Sequence, residues 1–158
     1  MFKARYISLV GLSALAIATP IVADFEGLET KAYLDAVQVP TICYGSTQGV
    51  YIGQEKTKEQ CEALLQKELG YFMAQVDKAV KIEMPKTRLA ALSSFAYNVG
   101  MGNFKRSTLL RKLNSGDVVG ACNELPRWVY AKGKKLRGLE RRREAERELC
   151  LMGAQSDV

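Results

Sequence analysis

Residues 24–45 read DFEGLETKAYLDAVQVPTICYG, a change of character from everything before them. The stretch follows eighteen residues without a charge, 6–23. It places Glu26 between Phe25 and Gly27. A carboxyl in apolar surroundings keeps its proton to higher pH, as a general acid requires. Nine residues on, Asp35 closes Tyr33-Leu34-Asp35. It stands at the entry to a region, 33–53, rich in Tyr, Val, Thr, Ile and Gly, the composition of short strands joined by turns. A carboxylate in such a place stays ionised. Thr41 opens the strand Thr41-Ile42-Cys43-Tyr44-Gly45, with a hydroxyl suited to holding a water. Glycosidic cleavage uses such a set: one acid protonates the leaving oxygen, and one carboxylate activates water or attacks the sugar. Spacing alone does not single the pair out. The chain has 17 acidic residues, and two solvated surface acids fit the same spacing.

Upstream, Lys3 and Arg5 precede the uncharged stretch. As a helix, 6–23 spans about 27 Å, close to the roughly 30 Å hydrocarbon core of a bilayer. Its strong apolar residues are Ile7, Leu9, Val10, Leu12, Leu15, Ile17, Ile21 and Val22. Together they favour insertion by about 2.4–4.8 kcal/mol, and the Ala, Gly, Ser, Thr and Pro between them contribute little or oppose it. Three readings compete. One is a cleaved signal peptide with Ala16-Ile17-Ala18 as its A-x-A site. The second is a weak, uncleaved anchor, and the third is a buried first helix of the domain. The basic residues before the stretch set a cytoplasmic N-terminus and an exported remainder. The division that follows is a segment over 1–23 and one domain over 24–158.

Downstream the pattern is helical. Thr57 followed by Gln60 is a capping box, opening a long helix over 57–80. Its apolar stripe is Leu64, Leu65, Leu69, Phe72, Met73, Val76 and Val80. A second helix runs over 87–99, with Pro85 before it and Gly100 after it; Leu89, Leu92, Phe95 and Ala96 face inward. Short helices follow over 107–114 and over 117–125, the latter ended by Pro126. One turn over 127–131 and a flexible Lys132-Gly133-Lys134 lead to a last helix over 136–151. The fold class is α+β, mostly helical, with a small antiparallel sheet near the start.

Composition excludes much. In 158 residues there is no histidine, which removes Ser-His-Asp and Cys-His catalysis and most zinc sites. No Gly-rich phosphate loop appears, and no cofactor or metal is implied. The formal charge is +6, suited to a polyanion such as nucleic acid, anionic lipid or a cell-wall polymer. Much of the excess lies in Lys132, Lys134, Lys135, Arg137, Arg141, Arg142 and Arg143. With Glu140, Glu144, Glu146 and Glu148 interleaved, this run reads as a solvated helix face that steers electrostatically as a whole. An exposed Arg143–Glu146 pair at i,i+3 is worth only a few tenths of a kcal/mol. The four cysteines allow three pairings and contain no CxxC. Export would oxidise them. Joining Cys122 to Cys150 ties two C-terminal helices and leaves Cys43 for Cys61; buried free thiols are the alternative. Trp128 and Tyr130 suit core packing more than sugar stacking. Asn98 suits a substrate N-acetyl group or a helix cap equally.

Several ordered blocks over 24–151 resemble the phage-type lysozymes, the family of T-even phage lysozyme. They are Phe25-Glu26-Gly27-Leu28, Ala32-Tyr33-Leu34-Asp35, Thr41-Ile42-Cys43-Tyr44-Gly45, Phe95-Ala96-Tyr97-Asn98-Val99-Gly100, Ser107-Thr108-Leu109-Leu110-Arg111-Lys112-Leu113-Asn114, and Trp128-Val129-Tyr130-Ala131 through Gly138-Leu139-Glu140-Arg141-Arg142. The resemblance implies a two-lobed fold with the long helix between the lobes and a cleft there. It implies hydrolysis of the β-1,4 bond between N-acetylmuramic acid and N-acetylglucosamine in peptidoglycan, with inversion. Glu26 is then the general acid, Asp35 the carboxylate that positions or activates water, and Thr41 its partner. Two positions depart from the family, which often has Gly where Cys43 stands and His where Ser46 stands. The N-terminus resembles the signal-arrest-release endolysins of phages, which are held at the inner membrane by a weak uncleaved anchor and activated on release to the periplasm. That branch implies a functional partnership with a holin or pinholin, a monomer and no nucleic acid. The rivals are a cell-wall or anionic-polymer binder on the same fold, a basic nucleic-acid or membrane binder, and a lytic transglycosylase that needs no Asp35.

Overall fold

The computed structural model describes residues 13–155. The part of the uncharged stretch over 6–12 lies outside them. Its remainder forms helix α1, Ala14–Glu26. Ser13 caps it, its Oγ accepting from the Ala16 N–H at 3.1 Å. Gly27, at φ 76°, ends it, a backbone value that favours glycine. Ala14, Ile17, Ala18 and Val22 are buried; their spacing of three and four makes one apolar stripe, packed on the two central helices. The helix therefore runs without a break across positions 23 and 24.

Strands β1, Glu29–Leu34, and β2, Pro40–Cys43, pair antiparallel with Tyr33 opposite Thr41 and Leu34 opposite Pro40. The sheet begins at Glu29, four residues before the expected strand region, because Gly27 lets the chain leave the helix directly into extended backbone. Helix α2, Lys58–Ala79, starts at the expected capping box: Thr57 Oγ1 accepts from the Gln60 N–H at 3.1 Å and Gln60 Oε1 accepts from the Thr57 N–H at 2.8 Å. Cys61, Leu65, Leu69 and Val76 form its fully buried stripe, and Leu64, Phe72 and Met73 flank it half-buried.

Helix α3, Lys86–Val99, is the hub. It packs against α1, α2 and the last helix, so consecutive residues from Ala90 to Ala96 are all buried. Its serines there are compatible with burial because Ser93 donates to the Leu89 carbonyl and the Ser94 oxygens accept from Arg142. Gly100, at φ 89°, stops it as expected.

A short helix α4, Met101–Arg106, was not signalled by any apolar period. Helix α5, Thr108–Asn114, follows the Ser107 cap. Helix α6 covers Val118–Cys122 only. The expected continuation to Leu125 is replaced by a turn and a 3-10 segment, Leu125–Arg127, that contains Pro126.

The turn expected over 127–131 and the flexible link after it are instead a hairpin. Strand β3, Tyr130–Ala131, pairs with β4, Lys134–Lys135. Lys132 at φ 51° and Gly133 at φ 77° form its two-residue turn, the left-handed pair that matches strand twist. Helix α7, Arg137–Leu151, closes the domain, with a 3-10 segment after it. Disulfides join Cys43 to Cys61 and Cys122 to Cys150, the pairing expected. The result is the mostly helical α+β fold, with small antiparallel sheets and a long helix between its parts.

Candidate active site

The last residue of α1 is Glu26. The helix stripe buries Val22, and the Gly27 stop leaves Glu26 among the residues that line a cleft of about 730 Å³. Its side chain is 22% exposed. One wall comes from α2 with Lys67, Glu68 and Tyr71. The loop after β2 supplies Gly45 and Ser46, and α3 supplies Tyr97 and Asn98. Gly45 has φ 91°, and a Cβ there would stand 3.5 Å from Glu26 Oε2. The glycine thus supplies both the turn and the close approach to the carboxyl.

Glu26 is not enclosed by apolar groups, as its sequence neighbours suggested. Arg142 Nη1 donates to Glu26 Oε1 at 2.7 Å, and Arg142 is 3% exposed. Arg142 Nη2 donates to the Ser94 carbonyl at 3.1 Å, and its guanidinium lies over the Phe25 ring. Neighbouring Arg143 is also buried, and its Nε donates to the fully buried Glu146 at 2.6 Å. Burial pushes the Glu146 carboxyl up, against the pull of the Arg143 and Arg142 charges.

The expectation that this basic run is a solvated face therefore fails for Arg142, Arg143 and Glu146. It holds for Lys132, Lys134, Lys135, Arg137 and Arg141, which are exposed. A signal was present: Arg142, Arg143 and Glu146 share the helical stripe of Leu149 and Cys150. Charge hid it. A buried pair of this kind costs about 3–5 kcal/mol to break from one side, unlike the few tenths of an exposed pair.

Asp35 and Thr41 lie together on the β1–β2 hairpin, outside the residues that line the cleft. Asp35 is half-buried just after β1, and its Oδ1 accepts from the Val37 and Val39 N–H groups at 2.9 Å each. Two backbone donors hold the carboxylate in place. Thr41 is buried, pairs with Tyr33 and donates to the Val39 carbonyl at 2.9 Å.

Asn98 neither caps α3 nor stands apart: it lines the cleft and accepts from Arg143 Nη2 at 2.9 Å. Trp128 packs on Phe95 as expected, whereas Tyr130 is 62% exposed because the hairpin carries it away from the core. Sequence reasoning missed Glu68, which accepts from Ser46 Oγ at 2.9 Å and faces Tyr97. It lies on the α2 face next to the apolar stripe, where nothing local marks it.

A mostly helical fold, in which a helix-end carboxylate lines a cleft, places the molecule among the lysozyme-like proteins. Residues 23–146 match the family model described as phage lysozyme, and the chain belongs to that family. It is 45% identical to the SAR-endolysin of Enterobacteria phage PA-2 over 92% of this chain and 93% of that one. The muramidase domain of SpmX from Asticaccaulis excentricus has a TM-score of 0.81 at 30% identity, over 86% of this chain and 95% of that one. The active form of P1 phage endolysin Lyz has a TM-score of 0.80 at 29% identity, over 91% of this chain and 88% of that one. The secreted inactive form of the same endolysin has a TM-score of 0.53 at 31% identity, over 66% and 76%. The described fold follows the active form far more completely.

Proposed function

We propose that the chain is a phage endolysin that hydrolyses the β-1,4 bond between N-acetylmuramic acid and N-acetylglucosamine in peptidoglycan. The observation that carries this is Glu26, held by Arg142 in the lining of an open cleft in a member of the phage lysozyme family. Glu26 is the general acid. Arg142 occupies Oε1, so delivery of the proton falls to Oε2, beside Gly45. Asp35 positions or activates the water, with Thr41 as its partner, and the product inverts. Enclosure by Lys67, Tyr71, Tyr97 and Asn98 gives the glycan polar and aromatic contacts on both walls.

The test is clearing of a peptidoglycan suspension, with release of new reducing ends, by full-length wild type, Glu26→Gln and Asp35→Asn. Removing the acid lowers the rate by about 10²–10⁴-fold. Equal clearing by Glu26→Gln sinks the assignment. Activity retained by Asp35→Asn alone favours the transglycosylase, which needs one acid and no activated water.

The N-terminal segment over 1–23 is, on this reading, a weak anchor that exports the domain over 24–158 and holds it at the periplasmic face of the host inner membrane. The supports are the SAR-endolysin relatives and the burial of Ile17, Ala18 and Val22. The same side chains cannot lie in lipid and in the core at once, so the segment has two exclusive places. While anchored, it denies the core its α1 stripe and displaces Glu26. A holin or pinholin partner collapses the membrane potential and releases it to the periplasm as an active monomer. No described helix is long and apolar enough to cross a membrane. Intact mass and membrane fractionation test this: a product lacking 1–18 found only in the soluble fraction overturns the anchor.

A further inference from the structure

Helix α7 places two arginines side by side in the core, Arg142 at 3% exposure and Arg143 at 0%. Adjacent guanidiniums repel in a medium of low polarity, and carboxylates from two elements meet them. Glu26 comes from α1, and Glu146 from the next turn of α7 itself. Glu146 Oε1 accepts from Arg143 Nε at 2.6 Å. Its Oε2 lies 3.4 Å from Arg143 Nη2 and 3.9 Å from Arg142 Nε. Arg142 Nε is buried and has no hydrogen-bond partner among the described residues, so Glu146 Oε2 is the anion it faces. Another nitrogen of the same guanidinium, Nη1, holds Glu26, and Nη2 is held by Ser94. At the far end Arg143 Nη2 donates to Asn98 Oδ1. The chain Glu26–Arg142–Glu146–Arg143–Asn98 thus starts and finishes on the cleft wall and runs through the interior between.

The geometry points to Glu146 as a positioning residue for the acid: it steadies Arg142 against Glu26 and offsets one of the two buried arginine charges. This rests on Glu26 being the acid proposed above. With Glu146 made neutral, the buried cluster beside Glu26 becomes more positive by one charge. The proton leaves Glu26 more readily, and the acid form is lost at lower pH. With Arg143 made neutral the cluster loses one positive charge, and the acid form persists to higher pH. The other groups facing the cluster are Tyr97, Asn98 and Ser94 from α3 and Glu68 from α2. They are the same in both variants and cannot produce shifts of opposite sign. A merely structural role for Glu146 lowers stability in both variants and leaves the profile where it was.

The experiment measures kcat, KM and the pH profile on solubilised peptidoglycan glycan. It uses full-length wild type, Glu26→Gln, Glu146→Gln, Arg143→Met and the double variant Arg143→Met with Glu146→Leu, each checked for native circular dichroism. Glu146→Gln is expected to lower kcat about tenfold with KM within about twofold, and to move the high-pH limb to lower pH. Arg143→Met moves the limb to higher pH. The double variant removes one charge of each sign, a change cores accept, so its limb stays at the wild-type pH while kcat remains lowered. Should Glu146→Gln fail to fold, the upward shift in Arg143→Met and its reversal in the double variant decide the matter. Limbs that coincide in every folded variant, or that shift with one sign, overturn the proposal. A wild type that does not cleave, or a Glu26→Gln that does, removes the acid assignment and this proposal with it. An inert Glu26→Gln beside Glu146 and Arg143 variants with wild-type kcat and profile removes the positioning role alone.

Discussion

Tyr97 lies where the charges of two carboxylates act on one phenol. Its hydroxyl donates to the Tyr44 carbonyl at 3.0 Å and lies 3.5 Å from Glu68 Oε2. Burial pushes the phenol well above its ordinary value of 10.0, and the Glu68 and Glu26 charges push it further. The unfolded chain therefore releases this proton near pH 10 while the native chain holds it. The stability that Tyr97 contributes is complete below that pH and is lost as pH rises through the native value. Denaturant midpoints above pH 10 are expected to fall more steeply with pH in wild type than in Tyr97→Phe. Equal slopes contradict the assignment. Ser46, where the family often carries His, also serves this wall by donating to Glu68. A hydroxyl on a carboxylate keeps the contact with no titrating partner.

At the scale of elements, the capping box at Thr57 was legible letter by letter, because its chemistry is local. Thr57→Ala is expected to cost about 1 kcal/mol, read from the denaturant midpoint. Helix α1 is the opposite case. Its composition fits lipid and core equally, and only packing against α2 and α3 selects the core in the described fold. Ile17, at 3% exposure, is an ordinary core residue there. Ile17→Ala is expected to lower stability by about 2–5 kcal/mol in calorimetry or denaturation, and a change below about 1 kcal/mol means that α1 is not docked in solution. The short hairpin at Tyr130–Lys135 escaped notice because Lys-Gly is a weaker turn signal than Asn-Gly. Helix α6 stops at Cys122, and the chain turns into the 3-10 segment that holds Pro126, a residue with no N–H to continue an α-helix.

For the molecule as a whole, two disulfides brace the parts that carry the site. Cys43–Cys61 ties the hairpin bearing Asp35 and Thr41 to the start of α2, and Cys122–Cys150 ties α6 to the helix bearing Arg142. Their sequence separations are 18 and 28, which the chain-entropy picture values at about 3–4 kcal/mol each. Reduction under native conditions is therefore expected to lower the denaturation free energy by several kcal/mol, about 3 at the least. A midpoint that does not move on verified reduction contradicts this.

Local sequence was enough for the helical framework, the capping box and the glycine stop at 100, while the cysteine pairing seen was one of several the sequence left open. The framework rests on periodicity, and the capping box and the stop rest on backbone chemistry within four residues. The surroundings of Glu26 were decided only by the tertiary structure. Its partner Arg142 is 116 residues away, and a charge on a helix stripe reads as solvated until an opposite charge from another element is brought to it. Burial of Arg142, Arg143 and Glu146 is possible only because α1, α3 and α7 converge on one point, and convergence is a property of packing rather than of any local run of residues.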